Sequence, residues 1–495
     1  MEHPLGVEPQ MGLFEGGADA AAAMRTRGLG ALACLPDEAL LNILHELAPA
    51  DLARLATVSR ALWAFANHDE LWKGFCLDEL EGRWDFQGNW QDTYLLGKQV
   101  KGFTPGSRKM RRAAGLQSDL LYTPWLCATC AIDPAWLEVE NVDRRSGLSV
   151  DQFRQQYEIP NKPVILTDVV TKWPAMKKWS RDYLKKAFKD GMVLVGDQPI
   201  PFDSYCKYAD TNTDELPLYL FDKTFCETAP QLAKDYIVPE VFSDDLFALL
   251  GDARPDWRWI IAGPYKSGSG WHKDPNSTSA WNGVVSGRKK WILYPPHITP
   301  PGVRPSEDGA DVASPVSIME WFMSFYEHKE SVGYTPAECI LREGEIMFVP
   351  RNWWHCVLNL DECVAVTQNF VSEVTLPHVL HHLRSRSPAL VSGCAKAARS
   401  GLYDRFFKAL KEQRPELLER VAAEEAAKKK RSEEQHKLAG LFKEPEEACN
   451  GSGAANGSGA ANGAAKPEAN GGSAAPQSGA AAGGGGGGFS FGFKF

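Results

Sequence analysis

Gly268-Ser269-Gly270-Trp271-His272-Lys273-Asp274-Pro275 sets a histidine and an aspartate two residues apart, with a proline directly behind them. In extended chain, residues i and i+2 project from the same face, so His272 and Asp274 point together into one interior. The chain holds 11 His and 63 acidic residues, enough for this spacing to arise by chance. An H-x-D pair alone is a weak signal, and its surroundings must carry the reading.

Downstream, Ser277-Thr278-Ser279-Ala280-Trp281-Asn282-Gly283 leads to Arg288, the pair Lys289-Lys290 and a strand candidate through Trp291. A third ligand is offered by His355 in Val349-Pro350-Arg351-Asn352-Trp353-Trp354-His355, just after another strand candidate. Two imidazoles and one carboxylate on one side of a metal leave the opposite positions open, which suits iron(II) that takes a co-substrate and then dioxygen. A lysine entering a barrel meets the far carboxylate of a diacid, where a partly desolvated ion pair is stronger than in water. Strand alternation lets only one of Lys289 and Lys290 face inward, and a solvated lysine pair is the plain alternative.

From about 121 to 375, short β-rich runs alternate with Gly, Pro, Asn and Asp. Candidates lie at Pro163 to Val170, Trp257 to Ala262, Lys290 to Tyr294, Glu345 to Val349 and Val364 to Phe370. Helical patches at Ser149 to Tyr157 and Ser180 to Phe188 come early in this region. A β-barrel or jelly roll with peripheral helices is the class this predicts.

Ahead of it, Leu35-Pro36-Asp37-Glu38 suits a helix N-terminus, and Leu40, Leu41, Ile43, Leu44 and Leu47 recur at near-helical spacing. After a break at Pro49-Ala50-Asp51 the pattern resumes through Leu52, Leu55, Val58, Leu62 and Phe65, then Leu71, Trp72 and Phe75. So small a helical unit needs a neighbour, and it exposes an apolar face for a partner helix. The order Leu35-Pro36, Ile43-Leu44, Asp51-Leu52, Val58-Ser59-Arg60, Leu62-Trp63 and Leu71-Trp72 resembles an F-box, which implies docking of a Skp-type adaptor through residues 35–75. An ordinary helical subdomain is the alternative.

The central region resembles the Jumonji C (JmjC) family of iron(II)- and 2-oxoglutarate-dependent oxygenases. It is most similar to the arginine demethylase and lysyl hydroxylase branch, once called the phosphatidylserine receptor. The likeness runs from about 160 to 375, through Pro217-Leu218-Tyr219, Phe242-Ser243-Asp244-Asp245-Leu246-Phe247, His272-Lys273-Asp274-Pro275, Thr278-Ser279-Ala280-Trp281-Asn282 and Trp353-Trp354-His355 to Asn369-Phe370. It implies that His272, Asp274 and His355 hold iron and that Lys289 pairs with the distal carboxylate of 2-oxoglutarate. Thr367 would add a hydroxyl there, with Asn282, Ser269 and Asn369 near the co-substrate; Ser269 stands where the relative has Thr. The resemblance further implies dioxygen as the second co-substrate and a hydroxylated carbon on Arg or Lys of a protein as the product, with histones as candidate substrates. Hydroxylation of an N-methyl group releases formaldehyde, whereas a hydroxyl on a lysine carbon stays, so the carbon that the pocket presents decides between them.

The expected organisation is multi-domain α+β: a flexible N-terminus (1–33), a helical F-box (34–80), a basic connector (81–120), a JmjC double-stranded β-helix of the jelly-roll or cupin type (121–375), C-terminal helices (376–442) and a low-complexity disordered tail (443–495). A length of 495 residues suits several folded units. Hydrophobic residues at 44%, with 16 Trp, exclude wholesale disorder. A net charge of −9 gives no overall pull toward nucleic acid or acidic lipid. Lys98, Lys101, Arg108, Lys109, Arg111 and Arg112, and later Lys428-Lys429-Lys430-Arg431, read as a nuclear signal, a nucleic-acid contact or solvated segments. The resemblance implies a nuclear location, with the cytoplasm as a second compartment. Eleven scattered Cys and no basic-apolar leader indicate a reducing compartment; Cys127 and Cys130 form a lone C-x-x-C without the second pair that zinc needs. No apolar run spans a bilayer. Two other readings stand: an F-box adaptor whose barrel only recognises a target, and a structural cupin without metal. The sequence leaves the substrate, ligase assembly, the tail and the oligomeric state open.

Overall fold

The proline and acids at 36–38 do start a helix. In the computed structural model, which describes residues 2–10, 18–189, 191–195, 198–385 and 387–441, the chain begins with helices α1 (Ala18–Leu29), α2 (Asp37–His45), α3 (Pro49–Leu55), α4 (Arg60–Ala66) and α5 (Asp69–Glu79). Pro49 opens α3, where its missing N–H is no loss. Ser59 caps α4 by accepting from the Leu62 amide at 3.0 Å. The periodic residues Leu40, Leu44, Leu52, Leu62, Phe65, Leu71 and Trp72 are buried, while Ile43 is 45% and Val58 69% exposed.

Two expectations for the flanks need correction. The first 33 residues, read as flexible, pair Val7–Glu8 in parallel with Leu116–Gln117 and contain α1, whose Arg25 forms an ion pair with buried Asp37 at 2.6 Å. Residues 81–120, read as a basic connector, bury Trp84, Phe86, Trp90 and Tyr94, the last two on helix α6 (Trp90–Gly97). Arg108 there pairs with Asp92 at 2.6 Å. The stretch orders because it packs on distant aromatics, as Trp90 does on Tyr208 with 5.6 Å between ring centres.

The middle of the chain supplies strands β1 (Arg144–Arg145), β2 (Val164–Leu166), β3 (Met192–Val195), β4 (Gln198–Pro201), β5 (Leu220–Asp222), β6 (Arg258–Gly263), β7 (Gly268–His272), β8 (Ser279–Ser286), β9 (Arg288–Tyr294), β10 (Ala337–Arg342), β11 (Ile346–Val349), β12 (Trp354–Asn359) and β13 (Cys363–Phe370). They form a large sheet in the order β1-β2-β11-β8-β13-β6-β5-β3-β4 and a small one in the order β10-β9-β12-β7. Ile261, Val284, Met347 and Ala365 of the large sheet and Trp291, Leu293, Leu341 and Val357 of the small one share a single buried cluster, which is the core of the expected jelly roll. Every residue of β13 is buried, because the outer face of the large sheet is covered too; Phe242 stacks on Trp281 and Trp173 meets it edge-on. Strands buried on both faces lose the polar alternation that marks a half-exposed strand.

Gly268 opens β7 at φ 148. A Cβ there would lie 1.9 Å from the Val357 carbonyl oxygen on β12, so glycine sets how closely the two strands approach. Gly268→Ala is expected to destabilise the barrel by about 2 kcal/mol or more, read as a lowered Tm; an unchanged Tm would contradict this close approach.

Behind the barrel come helices at Leu376–Ser385, Lys396–Arg399 and Leu402–Gln413, with Phe406 against Phe247 at 4.8 Å between ring centres. Up to Leu418 the chain forms one compact unit. The described residues beyond it continue the helix Pro415–Leu441 as part of a second unit, with Lys428 to Arg431 exposed. The low-complexity tail from 443, with Phe489 to Phe495, lies outside the described residues. No helix among them is long and apolar enough to cross a membrane. Cys127 and Cys130 carry free thiols.

Candidate metal centre and co-substrate pocket

Antiparallel pairing of β7 with β12 sets His272 opposite His355, with 4.1 Å between ring centres. Asp274 follows two residues on, and one ligand atom from each of His272, Asp274 and His355 falls within 4.8 Å of the others. The Nδ1 of His272 lies 2.8 Å from the Gly270 carbonyl and that of His355 3.0 Å from the Trp353 carbonyl. Donation from Nδ1 fixes the tautomer and turns Nε2 into the ligating nitrogen. Burial, with His355 adding to it, lowers His272 to about 4; burial likewise lowers His355 to about 4. Burial raises Asp274 to about 6, against the pull of His272 and Asn369. Both imidazoles are neutral at pH 7, the form that binds a cation.

The turn carrying Asp274 is held from two sides. Asn276 and Ser277 adopt left-handed φ of 56° and 59°, as does Asn352 (61°) just ahead of His355. Asn352 Nδ2 donates to Ser277 Oγ at 2.8 Å, tying the two ligand-bearing loops together. Asn276 Nδ2 donates to the Ser392 carbonyl at 2.9 Å and its Oδ1 accepts from the Ser392 amide at 3.2 Å. Non-glycine residues persist in this region only where the surroundings fix them.

His272, Asp274, His355, Ser269, Asn282, Thr367 and Asn369 line one cavity, with Tyr219, Phe221 and Trp291. Asn282 pairs with Thr367 across β8 and β13. The Thr367 hydroxyl donates to the Trp281 carbonyl at 2.8 Å and Asn369 Nδ2 donates to Thr278 at 3.0 Å. Lys289 is fully buried on β9. Its ammonium donates to the Tyr219 hydroxyl and to Asn359 Oδ1, both at 2.9 Å, so it meets the cavity at Tyr219. Burial works against this ammonium, but Tyr219 and Cys363 together outweigh that and hold Lys289 above the ordinary lysine value.

Lys290 faces the other way, as alternation requires, yet it is not solvated. It sits 2.8 Å from the Glu338 carboxylate with both side chains buried. Of two adjacent lysines, one has a carboxylate, and the other has two neutral partners beside an open cavity. The sequence does not single out Tyr219 and Asn359 as its partners. Alternation along Leu218-Tyr219-Leu220-Phe221 could have turned Tyr219 inward; nothing local links either residue to Lys289.

The donor set fits a divalent cation and a diacid. Asp274 Oδ2 and Asn282 Oδ1 are buried without hydrogen-bond partners, which a ligand in the cavity would supply. Two neutral imidazoles with one carboxylate leave positions open on the metal's other side.

Residues 150–375 match the model of the Cupin-like domain, and residues 32–78 match that of the F-box-like segment. Arginine-specific demethylase JMJ22 of Arabidopsis thaliana is 45% identical over 434 residues, 87% of this chain and 85% of its own length. Bifunctional arginine demethylase and lysyl-hydroxylase psr-1 of Caenorhabditis elegans is 36% identical over 296 residues, 57% of this chain and 70% of its own. 2-Oxoglutarate and iron-dependent oxygenase JMJD4 of Gallus gallus is 26% identical over 270 residues, 47% and 60% respectively. A relative that matches across most of both chains, together with an F-box-like segment ahead of a cupin-like one, shows that the chain belongs to the JmjC family of 2-oxoglutarate- and iron-dependent oxygenases.

Proposed function

We propose that this protein is an oxygenase of arginine or lysine side chains in a protein substrate, histones among the candidates, with His272, Asp274 and His355 as the iron ligands. Iron(II) supplies the activation of dioxygen coupled to decarboxylation of 2-oxoglutarate. The observation that carries this reading is the buried Lys289 ammonium beside the same cavity, held by two neutral partners. A buried cation without a carboxylate is costly, and a distal carboxylate of 2-oxoglutarate offsets that cost by a charge-assisted bond. Tyr219 would offer a hydroxyl to the same group, as would Thr367 once its proton turns away from the Trp281 carbonyl, and Asn282, Ser269 and Asn369 line the same cavity. Phe221, Ile261 and Trp291 line the cavity with apolar surface that limits water around the reacting carbon.

The relatives' names support arginine and lysine as targets. Ile43 on α2 and Val58 in the turn before α4, both exposed, support docking of a Skp-type adaptor, and the exposed run Lys428 to Arg431 supports a nuclear location. The test is mass spectrometry of methylarginine and lysine peptides after incubation of the full chain with iron(II), 2-oxoglutarate and air. Loss of a methylene with formaldehyde identifies demethylation, and gain of one oxygen identifies hydroxylation. Co-substrate binding with no modified peptide or co-purified protein would instead favour an adaptor whose barrel recognises its target.

A further inference from the structure

Tyr219 both lines the cavity and bonds the Lys289 ammonium, so its placement sets where that charge stands. Its main chain is held on both sides by hydroxyls from one helix, Phe202–Thr211. The single proton of the Tyr205 hydroxyl is shared between the Ala262 carbonyl at 2.8 Å and the Leu218 carbonyl at 3.1 Å, and the oxygen accepts from the Leu220 amide at 3.3 Å. Tyr208 accepts from the Leu218 amide at 2.8 Å and donates to Asp214 at 2.7 Å.

Asp214 in turn is gripped by residues that precede the barrel. The Trp90 indole N–H, at the start of α6, donates to its carboxylate at 2.7 Å. The Lys73 ammonium, on the last F-box-like helix α5, lies 3.2 Å from it, with both side chains almost wholly buried. Lys73 also reaches the Leu216 carbonyl at 3.5 Å. A surface ion pair contributes little, but a buried, hydrogen-bonded charge is costly to disturb, so Asp214 cannot drift while Lys73 stays in place.

We infer that Lys73 and Trp90 act through Asp214 and Tyr208 as positioning residues for Tyr219, so that the F-box-like helices form part of the co-substrate pocket's support rather than a detachable adaptor. The inference rests on the reading that Lys289 receives 2-oxoglutarate. It predicts that whatever displaces α5 loosens the grip on the co-substrate before it affects the chemical step. Asp214 and Tyr208 touch neither metal nor co-substrate; they set the backbone from which Tyr219 extends.

The test uses the full chain with Asp214→Asn, Tyr208→Phe and Lys73→Met, and with Lys98→Ala, a nearby surface residue, as control. Two readouts are taken: amide hydrogen exchange at Leu218 and Leu220 without metal, and KM against kcat for 2-oxoglutarate. The loss of one such bond should speed exchange and raise KM, each by about tenfold, with kcat within about twofold and the control unchanged. Tyr208→Phe keeps the packing, so it reports even if Lys73→Met fails to fold. Unchanged exchange, or faster exchange with an unchanged KM, would overturn the inference. If Lys289→Met also leaves KM unchanged, the reading of Lys289 has failed instead, and exchange at Leu218 in Asp214→Asn still shows whether the link exists.

Discussion

Asp274→Asn should abolish 2-oxoglutarate turnover while making the metal-free protein more stable. The substitution keeps the side chain's volume but removes the only anionic member of the ligand cluster, and loss of a direct ligand should weaken iron binding by at least about 100-fold, more than the loss of an outer-shell partner does. Stability moves the other way. Burial raises Asp274 to about 6, above its value in the unfolded chain, so the charged carboxylate opposes folding. A raised acid withdraws stability fully above its folded pKa and withdraws nothing below its unfolded one. The gain from Asn is therefore of the order of 2 kcal/mol at pH 7 and fades between about pH 6 and pH 4. Thermal unfolding of the metal-free variant at pH 7 and pH 4 measures it; a variant less stable than wild type at pH 7 would contradict the account of this site.

Lys289→Met should leave iron binding intact and raise the KM for 2-oxoglutarate by roughly 100-fold or more, the cost of truncating one partner of a buried, hydrogen-bonded charge pair. Met spans the same depth of β9 without a charge. Lys290→Met provides the contrast, because its partner is Glu338. That change removes one of two ammonium groups from a buried carboxylate, which keeps Lys329 at 2.6 Å and the Tyr326 hydroxyl at 3.0 Å, so it should lower stability by about 2 kcal/mol while sparing the KM of the remaining folded enzyme. Equal KM values for Lys289→Met and wild type would remove Lys289 from the pocket.

Period-two alternation was enough to pair His272 with Asp274, and a downstream strand candidate offered His355; resemblance to the family bound the three into one ligand set. Alternation also separated Lys289 from Lys290. It could not show that both are buried, since Lys290 meets Glu338 only once β9 lies beside β10. Tyr219 and Asn359 each stand 70 residues from Lys289, on opposite sides in sequence. No local pattern encodes such a contact; only closure of the barrel does.

The helices divide along the same line. Pro49 opens α3 and Ser59 caps α4, so the F-box-like segment was legible from neighbouring residues. Trp84 and Trp90 find their partner in Tyr208, more than a hundred residues away, and 81–120 therefore resembled a connector. The strands β8 and β13 lacked alternation because aromatics such as Trp173 and Phe242 cover their outer side.

The central claim is that His272, Asp274 and His355 form an iron site whose co-substrate is 2-oxoglutarate. It is tested most directly by titrating the metal-free full chain with iron(II) and 2-oxoglutarate without oxygen, and then admitting air. The account predicts binding of about one iron per chain, co-substrate binding that depends on it, and consumption of 2-oxoglutarate in air that His272→Ala abolishes. Failure to bind the pair, or equal turnover by His272→Ala, would contradict it.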